Sequence, residues 1–127
     1  MSKEVLILSR KFRESDAEYV KQFIASRGCT LIDKPISYPV DEEQLIELAS
    51  TAGGIITGLE RITAAVFEAA PHLKVVSAGG VGYDHIDVEV ANRHGVVVAN
   101  CAGCNNHAVS ELAFGMMLNL ARKIRGN

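Results

Sequence analysis

Residues 73–111 read LKVVSAGGVGYDHIDVEVANRHGVVVANCAGCNNHAVSE. Leu73–Ser77 is an apolar run of strand length stopped by glycines, and Val96–Ala99 is a second. Between them Asp87 can cap a short helix that Gly95 ends, and after the second run a polar loop leads into a long helix. Both strands empty into loops rich in Gly, Asn and Cys. In an open parallel sheet, ligands sit outside the carboxyl ends of the strands. The loops Gly79–Asp84 and Asn100–His107 are therefore expected on one rim, and that rim is the place to look for function.

Working back towards the N-terminus, the same alternation recurs. Val5–Leu8 and Cys29–Ile32 are strand-length apolar runs, and Gly53–Thr57 is a third. Ser15 or Asp16 can cap a helix to Arg27 whose apolar face holds Ala17, Val20, Phe23 and Ile24, with Gly28 at its left-handed end. Asp33–Val40, with two prolines, reads as a loop. Asp41 caps a helix burying Leu45, Ile46 and Leu48, and Thr63 caps Ala64–Ala70, closed by Pro71. The strands are apolar throughout, as expected of strands covered on both faces in a parallel sheet. The predicted fold is α/β: a flavodoxin-like, doubly wound, five-stranded parallel sheet of order 2-1-3-4-5, plus a protruding apolar C-terminal helix.

That helix, Ala108–Ile124, is apolar nearly all round, from Val109, Leu112 and Phe114 to Met117 and Leu120. Such a helix is buried on every side or packed on a second chain, so either more polypeptide or another subunit is expected to cover it. At 127 residues the chain is one domain, small for a complete two-substrate enzyme. Thirteen basic against fifteen acidic residues give no electrostatic case for nucleic acid or membrane. The longest apolar stretch, Leu112–Leu118, is too short to span a bilayer, and MSKEVLILSRKF reads as a first strand rather than a signal peptide. Three cysteines without a paired framework point to a reducing, cytoplasmic setting.

On the rim, GGVGYD resembles a dinucleotide fingerprint only superficially. The third glycine of G-x-G-x-x-G would fall at His85, and no acidic residue follows at the required distance. Glycines that let backbone N–H groups converge suit a small anion such as a carboxylate, although a plain connecting turn has the same composition. Cys101 and Cys104 have C-x-x-C spacing ahead of a helix, which admits a thiol redox pair, or zinc with His107. Asn105 and Asn106 are placed to cap the long helix or to turn a carboxamide towards a ligand. His72, His85, His94 and His107 are scattered, and each reads as a surface or structural side chain.

LKVVSAGGVGYDHID, ANRHGVVVAN, the Asn105 loop and AVSELAFGMMLNLARKI together resemble the D-isomer-specific 2-hydroxyacid dehydrogenases. That group includes phosphoglycerate dehydrogenase, glyoxylate reductase and formate dehydrogenase. The resemblance implies residues 1–100 as a substrate-binding domain and 101–127 as the hinge loop and first helix of a coenzyme domain. It implies that the amides of Val81 and Gly82 hold the substrate carboxylate and that Asn105 contacts substrate. It places a hinge at Asn100 and a homodimer contact along Ala108–Ile124. Ala78 stands where many members carry an arginine. The implied reaction is oxidation of a D-2-hydroxy acid, or reduction of the 2-keto acid, with NAD or NADP. The family's coenzyme fingerprint and its catalytic arginine, glutamate and histidine match no residue here. The chain alone is therefore expected to bind no cofactor or metal and to show no turnover. The rival expectations are a corepressor-like binding module, which the same family includes, and a C-x-x-C redox module.

Overall fold

The computed structural model describes residues 2–14 and 17–124. In chain order the elements are β1 (Glu4–Ile7), α1 (Arg10–Glu14), α2 (Ala17–Ser26), β2 (Thr30–Leu31), α3 (Glu42–Ala49) and β3 (Gly54–Thr57). Then follow α4 (Ala64–Ala69), β4 (Val75–Ala78), α5 (Val88–Arg93), β5 (Val97–Ala99) and α6 (Asn106–Arg122). The five strands form one all-parallel sheet of order β2-β1-β3-β4-β5, as the strand spacing predicts. The cap expected at Ser15 or Asp16 lies outside the described residues. Asp41 caps α3 as expected, its carboxylate accepting from Gln44 N–H at 2.8 Å, and Asp87 caps α5 by accepting from Val90 N–H at 3.0 Å. Thr63 occupies the N-cap of α4 without a side-chain capping bond, and its hydroxyl donates to Glu42.

Successive side chains along a strand point to opposite faces. One face carries Leu6, Ile55, Thr57, Val76 and Ala78, all buried beneath Leu45 and Leu48 of α3, Val66 and Phe67 of α4, and Val90 and Ala91 of α5. The opposite face carries Val5, Ile7, Ile56, Val75 and Ser77, and among the described residues α1 and α2 lie against it. Full cover on both faces does not hold in this chain. Three crossover helices lie on one side and a single crossover on the other. Of the expected inner face of α2 only Ile24 is buried, while Phe23 is 48% exposed and Val97 of β5 is 64% exposed. The result is an apolar groove of about 390 Å³ between α2 and the open half of the sheet.

Two local features escape a reading by periodicity. α1 is a five-residue turn, too short for an apolar stripe, and it carries an Arg10–Glu14 ion pair at 2.7 Å. α6 begins two residues before the expected Ala108 and ends at a left-handed Lys123, φ 49°. None of its residues is buried, so its apolar surface faces solvent along its whole length.

The edge of the sheet opposite the rim is closely packed. Gly53 N–H donates to Glu4 O at 2.8 Å, and a Cβ at Gly53 would lie 2.1 Å from the Ser2 carbonyl oxygen. No side chain fits without parting the chain before β1 from β3. Gly53→Ala is therefore expected to destabilise the fold by about 2 kcal/mol or more, through overpacking against backbone. A urea unfolding midpoint unchanged from the parent would show that this approach is not rigid.

Candidate functional site

β4 and β5 run parallel with Ser77 opposite Ala99, so the chains leaving them travel side by side. The loop after β5 then binds the glycine turn after β4 at two points. Asn100 Nδ2–H donates to Val81 O at 2.7 Å, and Cys101 N–H donates to Gly80 O at 2.9 Å. In a trans peptide the carbonyl and the N–H point in opposite directions. Drawing the Gly80 and Val81 carbonyls towards residues 100 and 101 therefore turns the N–H groups of Val81 and Gly82 away from that loop. Among the described residues those two N–H groups, and that of Gly80, have no protein acceptor. Val81 and Gly82 are exposed, so the donors are open to a ligand. Gly79 just before them is closely packed: its N–H bonds Thr57 O at 2.8 Å, and a Cβ there would sit 3.1 Å from the same oxygen.

The predicted site residues are gathered unequally. Asn100 is hydrogen-bonded to Val81, and Gly82 follows Val81 directly in the chain. Asn105 sits at the N-cap of α6, where its carbonyl accepts from Val109 N–H at 2.9 Å, but its side chain makes no capping bond. The capping role expected of that carboxamide is thus not filled, and no hydrogen bond ties it to the glycine turn. Cys101 directs its thiol to Ala78 O at 3.8 Å, and Cys104 N–H donates to Cys101 O at 3.2 Å. Both thiols are free and exposed. Among the described residues no three His, Cys, Asp or Glu side chains are placed to hold a metal. Tyr83 is half-exposed over a small cleft with Val88, Val98 and Asn100, rather than packed in the core.

The glycine turn does not fit a dinucleotide. After it the chain runs into an isolated bridge, Ile86 to Ile62, before a six-residue α5 begins at Val88. The chain therefore does not pass directly from the turn into a helix N-terminus, as a pyrophosphate-binding turn does.

A second feature of the rim has no local sequence signal. Where β1 and β3 end, a cleft of about 480 Å³ opens between the Tyr38–Glu42 stretch and the Leu59–Thr63 stretch. Glu60 folds back there, its Oε2 accepting from Gly58 N–H at 2.7 Å and from Thr57 Oγ1 at 3.0 Å. Tyr38 donates its hydroxyl to Leu8 O at 2.7 Å. Burial chiefly, with the Glu60 carboxylate adding to it and Arg13 opposing, raises the Tyr38 phenol above its ordinary value. The Tyr38–Leu8 bond joins residues 30 apart in the chain, beyond the reach of any local motif.

Comparison with known proteins bears on the family and the fold. A family profile described as D-isomer specific 2-hydroxyacid dehydrogenase, catalytic domain, matches residues 5–120. D-3-phosphoglycerate dehydrogenase of Rattus norvegicus is 41% identical over 83 residues, 65% of this chain and 16% of that one. Glyoxylate reductase of Pyrococcus furiosus is 33% identical over 114 residues, 84% of this chain and 34% of that one. The NAD+-bound 3-phosphoglycerate dehydrogenase of Entamoeba histolytica superposes with a TM-score of 0.78 at 28% identity, covering 94% of this chain and 39% of that one. The chain thus spans about a third or less of the length of these two curated relatives. With the profile covering nearly all of it and the strand order to match, the chain belongs to the D-isomer specific 2-hydroxyacid dehydrogenase family.

Proposed function

We propose that this chain is the substrate-binding portion of an NAD(P)-dependent oxidoreductase acting on the CH–OH group of a D-2-hydroxy acid. The observation that carries the reading is the pair of unpaired N–H groups at Val81 and Gly82, held outward by Asn100 and Cys101. Two adjacent backbone donors at the carboxyl edge of a parallel sheet suit a carboxylate, whose two oxygens each take a charge-assisted hydrogen bond. With the carboxylate fixed there, C2 projects from the rim. Asn105, whose carboxamide has no capping bond, is then placed to orient the 2-oxygen.

The residues present offer no coenzyme cradle, so this chain's part is to bind and orient. NAD or NADP would supply the hydride chemistry from the remainder of a longer protein. Residues 1–100 are assigned to the substrate domain and 101–127 to the hinge loop and first helix of the coenzyme domain. Asn100 is the hinge, which joins closure directly to the clamp because its side chain holds the Val81 carbonyl. The apolar, wholly exposed α6 supports a homodimer contact along Ala108–Ile124. The cysteine content fits a cytoplasmic setting.

Val81→Pro deletes one of the two N–H donors, at a residue outside the left-handed region. Losing one charge-assisted bond is expected to weaken glyoxylate binding about tenfold or more. Calorimetry showing equal affinity for parent and variant would contradict the clamp. Asn100→Ala frees the Val81 carbonyl, so faster amide hydrogen exchange is expected at Cys101, whose N–H bonds the neighbouring Gly80 carbonyl, with exchange in the sheet core unchanged. Mixing the 127-residue chain with NADH and a panel of 2-keto acids is expected to give no oxidation above the blank. Clear turnover would place a coenzyme site within these residues after all.

A further inference from the structure

We infer that the cleft between the ends of β1 and β3 selects the part of the substrate beyond its carboxylate, and that Glu60 makes it favour a hydrogen-bond-donating tail over a second anion. This rests on the carboxylate clamp proposed above and adds the class of substrate.

The placement follows from topology. Helices leave β1 and β3 on opposite faces of the sheet, so their ends diverge and leave a crevice, the usual ligand position in this kind of winding. That crevice lies at the end of the strand next to the one that leads into the clamp. Thr57, at the end of β3, pairs with Ala78 at the end of β4, and Gly79 N–H bonds the Thr57 carbonyl. A substrate whose carboxylate sits on Val81 and Gly82 therefore has the Thr57–Glu60 turn one strand away. The cleft volume of about 480 Å³ is in the range of small-molecule sites.

Its chemistry follows from which atoms are already used. Glu60 spends Oε2 on Gly58 N–H and Thr57 Oγ1–H, and Oε1 is left as an acceptor. Those two bonds hold the carboxylate in place on a buried threonine. Tyr38, also in the cleft wall, spends its proton on Leu8 O, which leaves its oxygen only the role of acceptor. Nearby cations are engaged elsewhere: Arg10 pairs with Glu14 at 2.7 Å, and Arg13 bonds Lys34 O and lies 3.7 Å from Asp33. Arg61 also lines the cleft, but it stands against Asp41, Glu42 and Glu60 on the same walls. An incoming hydroxyl or ammonium finds acceptors, whereas a phosphate or second carboxylate meets a fixed negative charge at short range.

The test uses three 2-hydroxy acids alike at C1 and C2: D-glycerate, D-isoserine and D-3-phosphoglycerate, with a hydroxyl, an ammonium or a phosphate on C3. Each is titrated into the ¹⁵N-labelled chain while the Val81, Gly82 and Glu60 amides are followed. D-isoserine and D-glycerate are expected to bind about tenfold or more tightly than D-3-phosphoglycerate. Glu60→Gln is expected to bring the three within about threefold of one another. Phosphoglycerate binding as tightly as glycerate would overturn the inference while leaving the clamp intact, and so would discrimination that survives Glu60→Gln. If no ligand shifts Val81 and Gly82, the clamp fails and this inference falls with it. Should Glu60→Gln not fold, the order of affinities on the parent chain decides.

Discussion

Parallel pairing of β4 with β5 is the constraint on which the rim depends. Because Ser77 lies opposite Ala99, the residues just past the two strands are forced alongside each other. Asn100 and Cys101 then reach the carbonyls of the glycine turn, and the planarity of the peptide bond does the rest. Pinning a carbonyl on one side presents an N–H on the other. The donors at Val81 and Gly82 are thus held in place by a neighbouring strand, without any acceptor of their own. Donors fixed before a ligand arrives need no reorganisation to meet it, which is the general advantage of preorganised backbone sites.

The same sheet explains what the chain leaves open. Three crossovers place α3, α4 and α5 on one face and bury a continuous core there. A single crossover leaves the other face half-covered, with Val97 and Phe23 in solvent, and α6 is exposed along its whole length. Surfaces of this extent are uncommon on a stable monomer. They set the boundary of what this chain can be asked to do. It folds around one face of the sheet and displays the rim at the strands' carboxyl ends.

Strand order and strand positions were legible because buried parallel strands are short, apolar and punctuated by Gly and Pro. The caps at Asp41 and Asp87 were legible for a local reason, since each carboxylate reaches an N–H only three residues on. The Asn100–Val81 tie was not. It joins residues 19 apart through strand register, and composition marks Asn100 only as a polar residue after a strand. Tyr38 is illegible for the same reason: a tyrosine between a serine and a proline carries no signal until Leu8 lies beside it. The open sheet face was misjudged because an apolar strand shows that both its faces avoid water, without showing that this chain supplies the cover. Asn105 was read at the correct helix terminus, but whether its side chain caps the helix depends on loop geometry that residue type does not determine.

The central claim is that Val81 and Gly82 present their N–H groups to a carboxylate. The most direct measurement is a crystal structure of the chain grown with glycolate. The account predicts the carboxylate oxygens within about 3 Å of the Val81 and Gly82 nitrogens, the usual hydrogen-bond range, with the Asn100–Val81 bond intact. Glycolate bound elsewhere on the rim, with those two N–H groups turned onto protein carbonyls, would contradict it.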